Sequence, residues 1–200
     1  MKNPKPQEWK SDELSMNYIA DYKAFNFVDG QGVRNSLYVS GCPFACMGCY
    51  NVAAQNFSYG TLYTKELEDE IIEDTRHDYV QGITLLGGEP FLNTKTCLSL
   101  INRVRSEFGS SKDIWSWTGY TWEELMQETP DKLEMLSKID ILVDGRFELE
   151  KKNLMLQFRG SSNQRIIDVQ KSLKAKRVII WEHLNDGKAT FEQIHKEKLI

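Results

Sequence analysis

Two hundred residues suffice for one domain with a substantial core. Lys plus Arg number 25 against 29 Asp plus Glu, a net charge of −4, which argues against general nucleic-acid binding because that rests on clustered basic residues that neutralise phosphates. No apolar run approaches membrane-spanning length and the first ten residues are polar, so neither a membrane nor a leader peptide is expected; a cytoplasmic protein keeps its cysteines reduced, as ligands rather than disulfides.

Residues 1–15 carry Pro4, Pro6 and several charges and are expected as a loose arm ahead of a single domain over 16–200. Tyr18 to Val28 turns aromatic and apolar, an extended lead-in, and Asp29-Gly30 with Gly32 punctuates a turn. Ser36 to Ser40 reads as the first core strand. Thr64 can cap a helix running to about His77, with Leu67, Ile71 and Ile72 on one face. Gly82 to Leu86 is a short apolar run of the kind buried in parallel sheets, and it ends in Gly87-Gly88-Glu89-Pro90. Asn93 is placed to cap the next helix, whose stripe Cys97, Ile101, Val104 and Phe108 reads as core packing.

Asp113 to Trp117 gives a further strand, followed by a capping box, Thr121 with Glu124. Thr129-Pro130 opens a short helix with proline at its tolerated first position. Ile139 to Val143 is a strand ending in Asp144-Gly145-Arg146, and Arg177 to Trp181 reads as the last strand. Between them the polar block Arg159-Gly160-Ser161-Ser162-Asn163-Gln164-Arg165 is too long for a simple turn. His183 and His195, in the charged tail, have no matching ligand set. Strand–helix alternation, with each informative motif at a strand's C-terminal end, predicts an α/β parallel sheet with its site on that rim.

The chemistry concentrates between Ser40 and Asn51. Cys42, Cys46 and Cys49 are separated by three and then two residues, so one loop can offer three thiolates to a single soft centre. A zinc site wants a fourth Cys or His close by, and none follows. Three close cysteines without a fourth suit a four-iron cluster with one open iron, although a zinc or redox pair and plain core packing are the alternatives from spacing alone.

Cys-x3-Cys-x2-Cys after a short strand resembles the signature of the radical S-adenosylmethionine superfamily. Asp29-Gly30-Gln31-Gly32-Val33-Arg34 is similar to the lead-in of its glycyl-radical-enzyme activases. The Cys49-Tyr50-Asn51 ending and the 159–165 block resemble the branch that activates anaerobic ribonucleoside-triphosphate reductases. One position departs from the superfamily pattern: Gly48 stands where an aromatic often precedes the third cysteine, and Tyr50 follows it instead.

The resemblance implies an open, partial barrel of (β/α)6 type. It implies a [4Fe-4S] cluster on Cys42, Cys46 and Cys49, with S-adenosylmethionine on the fourth iron. Gly48, Cys49, Tyr50, Gly87, Gly88, Glu89, Ser116, Trp117, Thr118 and Asp144 would surround that cofactor, the Gly87–Glu89 element meeting its ammonium group. Arg34, Arg159, Asn163, Gln164 and Arg165 would serve the cofactor or the partner. A flavodoxin-type protein would supply one electron. The resulting 5′-deoxyadenosyl radical would take a hydrogen atom from a glycine of the large subunit of the reductase, with no side-chain acid or base required. The rivals are an activase of another glycyl radical enzyme, such as pyruvate formate-lyase, a metal-binding partner module without catalysis, and an RNA-modifying radical enzyme, which the acidic balance disfavours.

Overall fold

The computed structural model describes residues 2–186, so His195 lies outside the described residues. In chain order it contains a single helical turn α1 (Ser11–Leu14), β1 (Tyr18–Asn26), β2 (Val33–Val39), β3 (Thr61–Leu62), α2 (Lys65–Thr75), β4 (Val80–Gly87) and α3 (Thr94–Phe108). There follow β5 (Asp113–Trp117), α4 (Trp122–Leu125), α5 (Pro130–Lys138), β6 (Ile141–Asp144), β7 (Arg165–Asp168) and α6 (Val169–Ala175).

The strands form one open sheet in the order β3-β1-β2-β4-β5-β6-β7. The α/β class is as expected, but the sheet is mixed. Only β2, β4, β5 and β6 run parallel, and β1, β3 and β7 pair antiparallel at the margins. The reason is the connections. Parallel neighbours need a long crossover, usually a helix, whereas the short turn between β1 and β2 returns the chain as a hairpin. Arg177 to Trp181, expected as a last strand, makes only an isolated bridge, Ile180 to Ile167.

Strand alternation divides the sheet into two faces. Leu37, Val39, Ile83, Leu85, Ile114 and Leu142 point one way, into the main core with Cys97, Ile101 and Val104 of α3 and Met135 and Leu136 of α5. Trp115, Ile141, Val143 and Ile166 point the other way, packed with Trp181 and Phe158.

Local capping follows the sequence at two helices. Thr64 accepts from the Leu67 N–H at 3.3 Å, and the Thr121/Glu124 capping box is complete. At α3 the expectation is corrected. The Asn93 amide instead donates to Ser40 and Glu89 carbonyls, both at 3.0 Å, and Ser11 Oγ accepts from the Thr94 N–H at 2.9 Å. Residues 2–15, expected as a loose arm, lie against the domain because Trp9 stacks edge-on against Phe44 and Tyr120.

Candidate metal centre

The parallel strands deliver their C-terminal ends to one rim, and the loops there come from β2, β4, β5 and β6. After Val39 the chain enters the cysteine loop. The loop is fixed at its entry, where Gly41 N donates to Ala54 O (2.7 Å) and Cys42 N to Gln55 O (3.0 Å). Further along, Cys49 N donates to Cys46 O (3.2 Å) and Asn51 N to Cys49 Sγ (3.3 Å). All three thiols are free and half-buried. Burial pushes the Cys42 and Cys46 thiols up, opposed by N–H donation from Phe44 to Cys42 and from Phe147 to Cys46. A metal therefore has to displace protons as it binds.

The Gly87-Gly88-Glu89 turn lies against this loop, backbone to backbone. Gly88 N donates to Val39 O (2.7 Å) and Glu89 N to Gly41 O (2.8 Å). A Cβ on Gly88 would meet Gly41 O at 2.7 Å, and Gly87 has φ +100 with Val39 O at 2.8 Å from its would-be Cβ. Only glycine permits both the conformation and the approach. The Glu89 carboxylate turns inward, 1% exposed. It accepts from Thr118 Oγ1 (2.8 Å), Gly119 N (2.7 Å) and Phe91 N (3.1 Å), which ties the end of β4 to the end of β5. Burial pushes its pKa up to about 7, against these three donors.

A cavity of about 650 Å³ opens between the loop and the second face of the sheet. Cys42, Cys46, Cys49, Tyr50, Gly87, Gly88, Glu89, Trp117, Thr118, Arg159 and Gln164 all border it. A second cavity, about 690 Å³, lies apart from the rim between Ser11, Thr94 and Asp131 and is lined by no cysteine.

Other residues expected at the site sit elsewhere. Ser116 and Asp144 share the strand parity of Ile114 and Leu142, so they face the helices. Ser116 bonds to the Trp117 carbonyl, and Asp144 accepts from Trp122 N (2.8 Å) and pairs with Arg165 at 2.5 Å. Arg165 is engaged there and with Glu123, and Asn163 donates to the Arg146 carbonyl (2.8 Å). Gly48, at φ +74, packs beside Leu149 and Phe147.

Arg34 is the largest departure. It is 0% exposed beneath Gly30 and Trp115. It pairs with Asp113 at 2.5 Å and donates to Thr84 Oγ1 and the Ile83 carbonyl. It is a strut of the sheet, because a buried guanidinium must have its donors satisfied.

Several wall residues escaped the sequence reading. Asp29 borders the cavity and accepts from Tyr38 Oη at 2.6 Å. Its place in the Asp-Gly-x-Gly-x-Arg motif was the available signal. Phe147, Leu154, Leu156 and Phe158 close the cavity from the segment between β6 and β7. No local pattern marks them.

The donor set fits an iron–sulfur cluster. Three soft thiols share one cavity, with no fourth beside them, since Cys97 is wholly buried in the main core. Among the described residues no three His, Cys, Asp or Glu side chains meet at a point suited to one metal ion.

Comparison with known proteins agrees. The family model of a 4Fe-4S single cluster domain matches residues 28–167. The anaerobic ribonucleoside-triphosphate reductase-activating protein of Haemophilus influenzae is 43% identical over 153 residues, 74% of this chain and 96% of that protein. Its namesake from Escherichia coli K12 is 41% identical over 153 residues, again 74% and 96%. The protein of that name from Enterobacteria phage T4 is 40% identical over 155 residues, 76% of this chain and 93% of its own. With this identity spread over three quarters of its length, the chain belongs to the 4Fe-4S family of anaerobic ribonucleoside-triphosphate reductase-activating proteins.

Proposed function

We propose that this protein activates an anaerobic ribonucleoside-triphosphate reductase by radical S-adenosylmethionine chemistry. The observation that carries the reading is the meeting of three free thiols and a side-chain-free Gly87-Gly88 backbone on one cavity. The names of the relatives favour this reductase over other glycyl radical enzymes as the partner.

Cys42, Cys46 and Cys49 would hold a [4Fe-4S] cluster, and S-adenosylmethionine would complete the open iron. That pair, given one electron from a flavodoxin-type donor, supplies the homolytic chemistry that ends with a hydrogen atom removed from a glycine of the reductase.

The chain's own work is binding, orientation and exclusion of water. Gly87 and Gly88 offer backbone at close range to a polar ligand. Glu89 holds that backbone in place rather than reaching the ligand alone, since three donors already occupy it. Trp117, Phe44, Phe147 and Phe158 give apolar walls that keep a reactive species from solvent. Arg159 and Gln164 border the same cavity and would meet a partner's loop that enters it.

We read the open sheet as the partial (β/α)6-type barrel of the superfamily, one domain from about residue 16 onward. The openness admits a substrate that is itself a protein. A cytoplasmic location suits free thiols. No side-chain acid or base is assigned.

The test is anaerobic. The protein is reconstituted with iron and sulfide, reduced, and mixed with S-adenosylmethionine and the reductase. A glycyl-type doublet on the reductase in electron paramagnetic resonance, with 5′-deoxyadenosine formed, is the expected outcome. 5′-Deoxyadenosine without the doublet would move the substrate elsewhere, and neither signal, with tightly bound zinc, would overturn the reading.

A further inference from the structure

The cysteine loop has a weak point. Between Cys42 and Cys46 the chain passes through Phe44 and Ala45, and Ala45 has φ +51. That left-handed conformation costs an L-residue roughly 1–2 kcal/mol and persists only where surroundings enforce it. The enforcing contacts converge on Phe44, which is fully buried although Ala45 beside it is exposed.

Much of that enforcement comes from the segment 2–11, which lies ahead of the stretch matched by the family model. Lys2 N donates to the Phe44 carbonyl at 2.8 Å. Trp9 packs edge-on against the Phe44 ring at 5.0 Å, and Tyr120 does so from another side at 4.9 Å.

The segment is fastened at further points, among them Gln7, whose N–H donates to Glu128 Oε1 at 3.1 Å. Arg146, stacked on Phe44 at 4.5 Å, donates to the Lys2 carbonyl. The buried Lys132 ammonium, paired with Glu128 at 2.7 Å, donates to the Trp9 carbonyl at 2.5 Å. Ser11 Oγ accepts from the first N–H of α3. Lys132 draws one of its few partners from the segment, so lifting the segment would leave a buried charge short of a hydrogen bond.

We propose that residues 2–11 are a strap that holds the Cys42–Cys46 turn in its ligating conformation, with Trp9 and the Lys2 N–H as positioning groups. The strap acts through Phe44. Its effect belongs to the lifetime of the cluster. This rests on the reading of the loop as a cluster site, and the experiment separates the two.

Wild-type protein and the variants Trp9→Ala, Trp9→Phe and Lys2→Pro are reconstituted anaerobically. Iron release to a chelator is followed through the visible absorbance of the cluster, and thermal melting of the iron-free forms is recorded in parallel. Trp9→Ala is expected to release iron about tenfold faster, the size of one lost aromatic contact with its packing. Trp9→Phe should restore most of the retention, and Lys2→Pro, which deletes a single donor, should release iron about threefold faster with unaltered iron-free melting. Wild-type release rates in both Trp9→Ala and Lys2→Pro would overturn the strap. If Trp9→Ala does not fold, Lys2→Pro decides alone. Failure of the wild type to take up iron and sulfide would overturn the cluster reading instead.

Discussion

The rim and the frame beneath it use similar residue types to opposite ends. On the rim, three free, half-buried thiols accept from the backbone N–H groups of Phe44, Phe147 and Asn51, and Met47, Tyr50 and Val52 around them are exposed. In the frame, Glu89 and Arg34 are buried and fully engaged, one by three donors and the other by Asp113, Thr84 and backbone carbonyls. Both regions lie in motifs of the same family resemblance, so a motif residue is not thereby a ligand. What distinguishes them is whether the fold has already met the demand of the polar group. A group still wanting a partner is poised for a ligand, and one already satisfied is structural.

The sharpest way to break this contrast is at the thiols. Replacing any one of Cys42, Cys46 or Cys49 by Ala should abolish the cluster and all cleavage of S-adenosylmethionine while leaving iron-free melting nearly unchanged. Cys97→Ala should leave iron per chain at the wild-type value. Iron analysis and product chromatography check both, and cleavage retained in a rim variant would remove the ligand assignment.

The frame should respond in the reverse manner. Arg34→Ala removes the buried partner of the part-exposed Asp113 and the donors to Thr84 and Ile83, and should lower iron-free stability by about 1–3 kcal/mol in urea denaturation. If stability holds while only activation of the reductase falls, Arg34 serves the ligand after all.

Glu89 gives a pH signature. Its folded pKa, up to about 7, lies above the ordinary carboxylate value, so the folded protein binds this proton more tightly than the unfolded chain does. The contribution is fully present at acid pH, below the unfolded value, and is lost as pH rises through about 7. Iron-free protein should therefore lose on the order of 3 kcal/mol from this group between pH about 4 and about 8. Glu89→Gln should flatten that dependence in urea titrations at the two ends; an identical slope would assign it to other groups.

The smallest effect is expected at Arg159 on the cavity wall. Arg159 donates to the Gln164 carbonyl at 3.1 Å and pairs with Asp186. Arg159→Ala should lower the rate of reductase activation about tenfold, as loss of an interfacial arginine does, with iron content unmoved. Equal activation would leave Arg159 a structural tie between the 159–165 block and the chain's later residues.

What could be read in advance follows from the range of the forces involved. The α/β class, the cysteine loop, the helices begun by Thr64 and Thr121, and the strand Asp113–Trp117 all declare themselves over a few consecutive residues, through capping, periodicity and ligand spacing. The Gly87-Gly88-Glu89 motif could be read as a turn at a strand end, but the inward direction of the Glu89 carboxylate could not. Asn93 likewise had the right side chain for a cap, and a distant hydroxyl, Ser11, took that place.

By itself, then, the sequence determined which segments make strands and helices and which loop carries the thiols, because those preferences are local. Only the tertiary structure decided which face of each strand meets the cavity. That parity turned Ser116 and Asp144 toward the helices and sealed Arg34 beneath Trp115, and the fold of the β1–β2 turn put Asp29 on the cavity. It also brought Trp9 to Phe44 across the sequence, a contact that no short-range pattern encodes because its stability comes from burial of one ring against another.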